Sequence, residues 1–379
     1  MTKFDAIRPY YDSEVNEVLK ALLNHPMMKA IMEFTFPDVE EEVWKEQLSK
    51  VDSIRSFQLS CVYQSLQRIL ERSSEGLTTS GFEKLDPNTS YLYISNHRDI
   101  ILDTSLLNVA LYDHGLIMTA SAIGDNLVQK DFLLKLSKLN RNFLVQRGLS
   151  PRELLQSSKL MSEYIYHLLA EENRSVWIAQ REGRTKDGND ATHPGVLKML
   201  GMASNEEKGM DFFKKLKIVP VSISYEYDPT DALKMPQLIA LSKDEVYIKE
   251  KNEDFITLLS GIIGQKKRIH IHIGDVLDGE YEKIKAETDN NNKQIQALAQ
   301  VIDDSILQSY KLWPTNFIAY DVLYKTNRFV HLYDEKERQL FERRLEMRID
   351  ADNETMKDGF LAMYANPVVN KLKYTNDIS

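Results

Sequence analysis

One histidine with two carboxylates close behind it marks the segment of this chain best suited to chemistry: His97, Asp99 and Asp103, in Tyr91-Leu-Tyr-Ile-Ser-Asn-His-Arg-Asp-Ile-Ile-Leu-Asp103. An imidazole whose Nδ1 proton is held by a carboxylate presents a free Nε2 that serves as a general base near neutral pH. Asp99 and Asp103 are four apart and share a face if the segment is helical, so either can fill the orienting role. Asp99 also suits a helix N-cap, and the plain alternative for His97 and Arg98 is an ordinary turn. A second segment, Arg181-Glu-Gly-Arg-Thr-Lys-Asp-Gly-Asn-Asp190, follows the apolar run Ser175–Gln180. There Gly183 permits close backbone approach to a ligand, while Arg181, Arg184 and Lys186 supply cations suited to phosphate. Glu182, Asp187 and Asp190 bring the loop close to neutral.

These residues need rigid elements to hold them. Short apolar runs at Ser90–Ser95, Asn142–Gln146, Ser175–Gln180, Ile218–Tyr225 and Arg268–Ile273 read as strands, and helical periodicity between them (Leu154, Met161, Ile165, Leu168) reads as covering helices. The expected fold is therefore α/β, a mixed β-sheet flanked by helices, whose strand ends carry the reactive segments. The first 76 residues read as a helical module of about three helices, 77–280 as the α/β domain and 281–379 as a helical region. The last contains an amphipathic stretch through Ile295, Leu298, Ile302 and Ile306.

Composition narrows the function. The 379 residues carry 48 Lys+Arg against 57 Asp+Glu, a net charge of −9, which argues against a broad nucleic-acid surface and requires any anion to be held by a local basic patch. Lys130, Lys135, Lys138, Arg141, Arg147 and Arg152 form a candidate patch. A single cysteine, Cys61, excludes an internal disulfide and a thiolate metal cluster and leads to the expectation of a reducing, cytoplasmic setting. No stretch approaches the ~20 apolar residues of a spanning helix, so contact with a membrane is expected to be peripheral at most. Packing is favoured over membrane contact for the apolar side chains Leu22, Leu23, Met27, Met28, Ile31 and Met32.

Four ordered segments together resemble the glycerol-phosphate and lysophosphatidate acyltransferase superfamily: Asn96-His97 to Asp103, Phe143-Leu-Val-Gln-Arg147, Glu182-Gly183-Arg184-Thr185 and Val219-Pro220-Val221-Ser222-Ile223. The resemblance spans about Tyr91 to Tyr227, with one departure at each of two blocks. Five residues separate His97 from Asp103 where the family has four, and Arg184 directly follows Gly183.

What the resemblance implies is transfer of a fatty acyl group from acyl-CoA or acyl carrier protein to a hydroxyl of glycerol 3-phosphate, lysophosphatidate or a related anionic acceptor in phospholipid synthesis. His97 would be the base, with Asp103 as its partner and Asp99 as substitute. Arg147, Glu182, Gly183, Arg184, Lys186 and Pro220 would form the substrate site, with no metal or other cofactor. Two rival readings remain at this stage. One is a catalytically inactive lipid-binding or scaffold relative; the other is a metal-dependent hydrolase that adds His270 and His272 to His97, Asp99 and Asp103.

Overall fold

The computed structural model describes residues 2–204, 209–375 and 378. Seven strands form one sheet: β1 (Ser74–Ser80), β2 (Leu92–Ser95), β3 (Thr119–Gly124), β4 (Asn142–Val145), β5 (Ser175–Ala179), β6 (Ile218–Tyr225) and β7 (Lys267–Ile273), in the spatial order β1-β7-β6-β2-β5-β3-β4. Every adjacent pair is parallel except β6 and β7. The expected mixed sheet with flanking helices is the observed one. Two strands, β1 and β3, escape the sequence reading, because Ser-Glu-Gly-Leu-Thr-Thr-Ser and Thr-Ala-Ser-Ala-Ile-Gly lack the bulky apolar residues that mark strands.

Burial explains the central strands. All four residues of β2 and all eight of β6 are buried, as expected of strands covered on both faces. On one face Leu92, Ile94, Val176 and Ile178 pack with Ile165 and Leu168 of helix Pro151–Ala170 and with Ile295, Leu298, Ile302 and Ile306 of helix Asn291–Ser309. Alternation puts Tyr93, Trp177, Val221, Ile223 and Tyr225 on the other face, against Leu106, Leu107 and Ala110 of helix Leu102–Asp113.

The helices at either end of the chain join this frame. Helices Asp12–Leu22, Pro26–Thr35 and Glu41–Ser49, with the helical turns from Ile54 to Ser73, share a core of Val15, Leu19, Met28, Met32, Trp44 and Phe57 with Phe132 and Leu139. Leu22, Met28 and Met32 are buried there, in agreement with the packing expectation. Phe4 and Ile7 instead enter the sheet core, and Leu144 of β4 donates its N–H to the Ile7 carbonyl at 2.9 Å, so the first residues close the outer edge of the sheet. Among the described residues no helix is long and apolar enough to cross a membrane.

The C-terminal helix Glu354–Lys371 bears directly on the loop after β5. Asn366 donates from Nδ2 to the Asp187 carbonyl at 2.6 Å, and Gly188, at φ +78°, lies so close that an added Cβ would be 2.3 Å from the Met363 carbonyl oxygen. A non-glycine residue in that backbone conformation costs about 1–2 kcal/mol before any clash. Gly188→Ala is therefore expected to lower the urea midpoint of unfolding and to loosen the 181–190 loop, read as faster backbone hydrogen exchange there; an unchanged midpoint and exchange pattern would contradict this packing.

Candidate active site

Because β2, β4, β5 and β6 run the same way, the residues that follow them all emerge at one edge of the sheet: His97 after β2, Arg147 after β4, Arg181–Lys186 after β5 and Asp228 after β6. Ligand crevices of open α/β sheets form outside such carboxyl ends. His97 leaves β2, the central strand, between β6 and β5.

The Asp103 carboxylate organises the histidine. Oδ2 lies 2.7 Å from His97 Nδ1 and accepts the backbone N–H groups of Arg98 at 2.6 Å and Asp99 at 3.0 Å, while Oδ1 accepts the Tyr225 hydroxyl at 2.9 Å. Asp103 is wholly buried in the first turn of helix Leu102–Asp113, where the N-terminal end of the macrodipole favours a negative charge. Burial and the Asp103 charge push Tyr225 well above the ordinary tyrosine range, so its phenol stays a donor. The five-residue spacing thus still delivers Asp103 to His97.

Asp99 does something else. Its Oδ1 accepts the N–H groups of Ile101 at 2.9 Å and Leu102 at 2.8 Å, so it satisfies amides at the start of helix Leu102–Asp113, whose N-cap residue is Ile101. Its Oδ2 has no hydrogen-bond partner and lies against Gly261, where a Cβ would fall 2.1 Å away. Burial, and then the nearby Asp103 charge, raises the Asp99 pKa and favours its neutral form. Oδ1 is thus taken up by backbone amides and Oδ2 lies against Gly261, while His97 Nδ1 is paired with Asp103.

The remaining face of His97 is free to act. Nε2 has no hydrogen-bond partner among the described residues, and the ring meets Trp177 edge-on with centroids 5.5 Å apart. Trp177 is itself fixed by its Nε1 donating to Ser95 Oγ at 2.9 Å.

The third block is stitched to this loop through buried charge. Thr185 donates its N–H to the His97 carbonyl at 2.8 Å and its hydroxyl to Asp190 at 2.8 Å, and Arg98 pairs with the same Asp190 at 2.6 Å. Asn96 bridges backbone groups of Ile223, donating at 2.9 Å and accepting at 2.8 Å. Lys234, buried and paired with Asp228, also donates to the Arg98 carbonyl at 3.2 Å. Arg184 reaches Thr230 Oγ1 at 3.5 Å. Gly183 has φ +70° and open space except for Lys186 Nζ, 3.7 Å from where a Cβ would sit. Burial, followed by the charges of Arg184 and Lys234, holds Lys186 down to about 7.

Other sequence candidates sit differently. Arg147 is paired with Glu182, both on the surface, so Glu182 occupies the cation expected to grip a ligand. Pro220 faces away: it alternates with Val219 and Val221, which share the face that carries Tyr225 toward Asp103. The basic stretch does not form a single patch. Lys135 is paired with Asp131 at 2.7 Å, Lys130 lies over the Phe255 ring and Lys138 over the Tyr10 ring, and Arg141 precedes β4 whereas Arg147 follows it.

His270 bonds Thr78 and Ser80 hydroxyls at 2.8 and 2.9 Å, and His272 bonds Ser80 at 2.8 Å. Among the described residues no group of three or more His, Cys, Asp or Glu side chains is arranged to hold a metal. Tyr225, Trp177, Arg98, Asp190 and Lys234 were not singled out from sequence. Arg98 and Asp190 lay inside the segments that were, whereas Tyr225 gave only strand periodicity.

Beside the loop lies an apolar cavity of about 380 Å³, bounded by Ile31, Phe34, Leu66, Ile69, Ile100, Ile101, Leu133, Leu258 and Ile262. Ile100 and Ile101 follow His97 by three and four residues, so one loop carries both the base and part of this wall.

Residues 76–224 match the profile of the family described as Acyltransferase. Among solved structures, the crystal structure of the 1-acyl-sn-glycerophosphate (LPA) acyltransferase PlsC from Thermotoga maritima is similar at a TM-score of 0.38 and 10% identity, over 76% of this chain and 95% of that one. No curated protein matches the chain.

The depressed Lys186 gives a signed expectation. Between about pH 7 and its unfolded value of 10.5 the unfolded chain binds a proton that the folded one does not, so this group's contribution falls as pH drops across that window. Lys186→Met is expected to raise the thermal midpoint at pH 8 and to flatten the rise of stability with pH from 7 to 10. A lower midpoint with an unchanged slope would place Lys186 in an ordinary stabilising ion pair.

Proposed function

We propose, for a chain whose residues 76–224 form an acyltransferase-family domain, that the reaction is transfer of a fatty acyl group from a thioester to the hydroxyl of an anionic lipid precursor. The observation that carries the proposal is the 2.7 Å contact of His97 Nδ1 with a buried, fully satisfied Asp103 carboxylate, which leaves Nε2 unpartnered. In this reading Nε2 takes the acceptor's hydroxyl proton as the oxygen attacks the thioester carbonyl. The tetrahedral species then collapses with cleavage of the carbon–sulfur bond, and the departing thiolate takes the proton back from His97. No covalent enzyme intermediate is required, and a positioned base of this kind contributes roughly 10²–10⁴-fold in rate.

The surroundings divide the substrate between them. The cavity of about 380 Å³ suits the fatty chain, since its surface is predominantly apolar despite polar residues such as Ser65, Thr104 and Asn142 in its wall. Arg184 and Lys186, with the exposed backbone at Gly183, suit a phosphate on the acceptor or on the donor. A phosphate would restore charge to Lys186 and could displace Glu182 from Arg147, because an exposed ion pair of that kind is worth only about 0–1 kcal/mol. Glycerol 3-phosphate or lysophosphatidate as acceptor, acyl-CoA or acyl carrier protein as donor, and work on the cytoplasmic face of a membrane complete the reading.

Thiol release from long-chain acyl-CoA and from acyl carrier protein, measured with each acceptor in turn, tests the proposal. Wild-type turnover with an anionic hydroxyl acceptor is expected, with a loss of at least about 10²-fold in His97→Ala. Turnover of His97→Ala at the wild-type rate would overturn the mechanism.

A further inference from the structure

At the opposite end of the sheet from His97, two arginines share a cavity and form no ion pair among the described residues. Arg141 immediately precedes β4 and Arg174 immediately precedes β5, and these strands flank β3. Both line a cavity of about 190 Å³ closed on its outer side by the N-terminal strap around Arg8 and Tyr10. Each has a buried Nε with no hydrogen-bond partner, and neither forms an ion pair among the described residues. Among the described residues the one hydrogen bond made by either guanidinium is from Arg174 Nη1 to the Met118 carbonyl, at 3.5 Å.

The neighbouring acids do not fill this gap. Asp12 accepts the Ile54 N–H at 2.9 Å, and Glu172 lies 3.1 Å from His167. Arg8, on the same cavity wall, shows what a satisfied arginine looks like here, with Asp5 and Glu14 both at 2.7 Å. Buried charges in proteins are ordinarily paired, and two adjacent unpaired guanidiniums repel one another. Burial, and then the Arg174 charge, pushes Arg141 down to about 10, and burial lowers Arg174 as well. Asp12 and Glu172 line the same cavity and act on both arginines through space, yet neither forms an ion pair with them.

We propose that this cavity is a binding site for a phosphate group, either free phosphate or the phosphomonoester of a small metabolite, held between Arg141 and Arg174. Planar guanidiniums offer paired N–H donors that match phosphate oxygens, and a dianion between them replaces repulsion by two attractive contacts. The site is separate from the acyl-transfer edge, because both arginines lie before their strands whereas Arg147 and Arg184 lie after theirs.

Thermal unfolding and calorimetric titration of the full chain, in inorganic phosphate or ribose 5-phosphate against potassium chloride at matched ionic strength, test this site. The phosphate compounds are expected to raise the midpoint of the wild type and of Arg184→Gln. In Arg141→Gln and Arg174→Gln the affinity is expected to fall at least about tenfold, the loss of one charge-assisted contact. Without ligand, those two variants are expected to melt no lower than the wild type, since each removes one of two like charges. The stronger of the two probes identifies the source of the phosphate. No phosphate-specific shift in the wild type, or a shift that survives in both Arg141→Gln and Arg174→Gln but disappears in Arg184→Gln, would overturn the proposal and leave the acyl-transfer reading untouched.

Discussion

A buried carboxylate held by four hydrogen-bond partners is the constraint on which the candidate active site depends. Asp103 is removed from water at the start of a helix, where it accepts two backbone N–H groups and the Tyr225 hydroxyl and lies 2.7 Å from His97 Nδ1. Each donor comes from a different structural commitment. The amides require the tight loop from His97 to Asp99, Tyr225 requires the register of β6 against β2, and the helix start is held by Asp99 accepting the Ile101 and Leu102 amides. Loss of any donor leaves a buried acceptor short of a partner, a penalty of about 1–3 kcal/mol or more for a charged group. The histidine's orientation therefore follows from the fold as a whole.

The rest of the architecture brings ligand-facing residues to the same edge and keeps them there. Parallel strands deliver the loops after β2, β4 and β5 side by side, and buried pairs, Arg98 with Asp190 and Lys234 with Asp228, tie those loops together. Arg344 and Arg348 of helix Glu335–Arg348 clasp the buried Asp231 carboxylate at 2.6 and 2.7 Å, so the C-terminal region contributes to the frame around the site. The cost of desolvating these charges is recovered only in one well-defined geometry, which suits a site whose groups must not wander.

Much of this was legible in the sequence. β2, β4, β5, β6 and β7 were readable because their apolar runs are short and bounded, and Ile295, Leu298, Ile302 and Ile306 do face the core as their spacing implies. β1 and β3 were not, since small and polar residues become strands only when neighbouring strands complete their hydrogen bonds. The order of the motif segments placed His97 near Asp103, but spacing alone left Asp99 as an equal candidate. The choice between them rests on the sharp loop and on Gly261, which lies far along the chain and, having no Cβ, leaves room for Asp99 Oδ2. Tyr225 was invisible for a similar reason, because its role depends on β6 pairing with β2 over a long sequence separation. Arg141 reads in the sequence as a member of one basic stretch with Arg147, and only the strand direction separates the two, whereas nothing in the sequence singles out Arg174.

The most direct test of the central claim compares the two carboxylates in the proposed acyl-transfer reaction. Steady-state kcat/KM for thiol release is measured in Asp103→Asn and Asp99→Asn, with folding checked by circular dichroism. Asp103→Asn is predicted to lose at least about 10²-fold while Asp99→Asn stays near the wild-type value. The opposite order, or full activity in Asp103→Asn, would contradict the assignment of Asp103 as the group that orients His97.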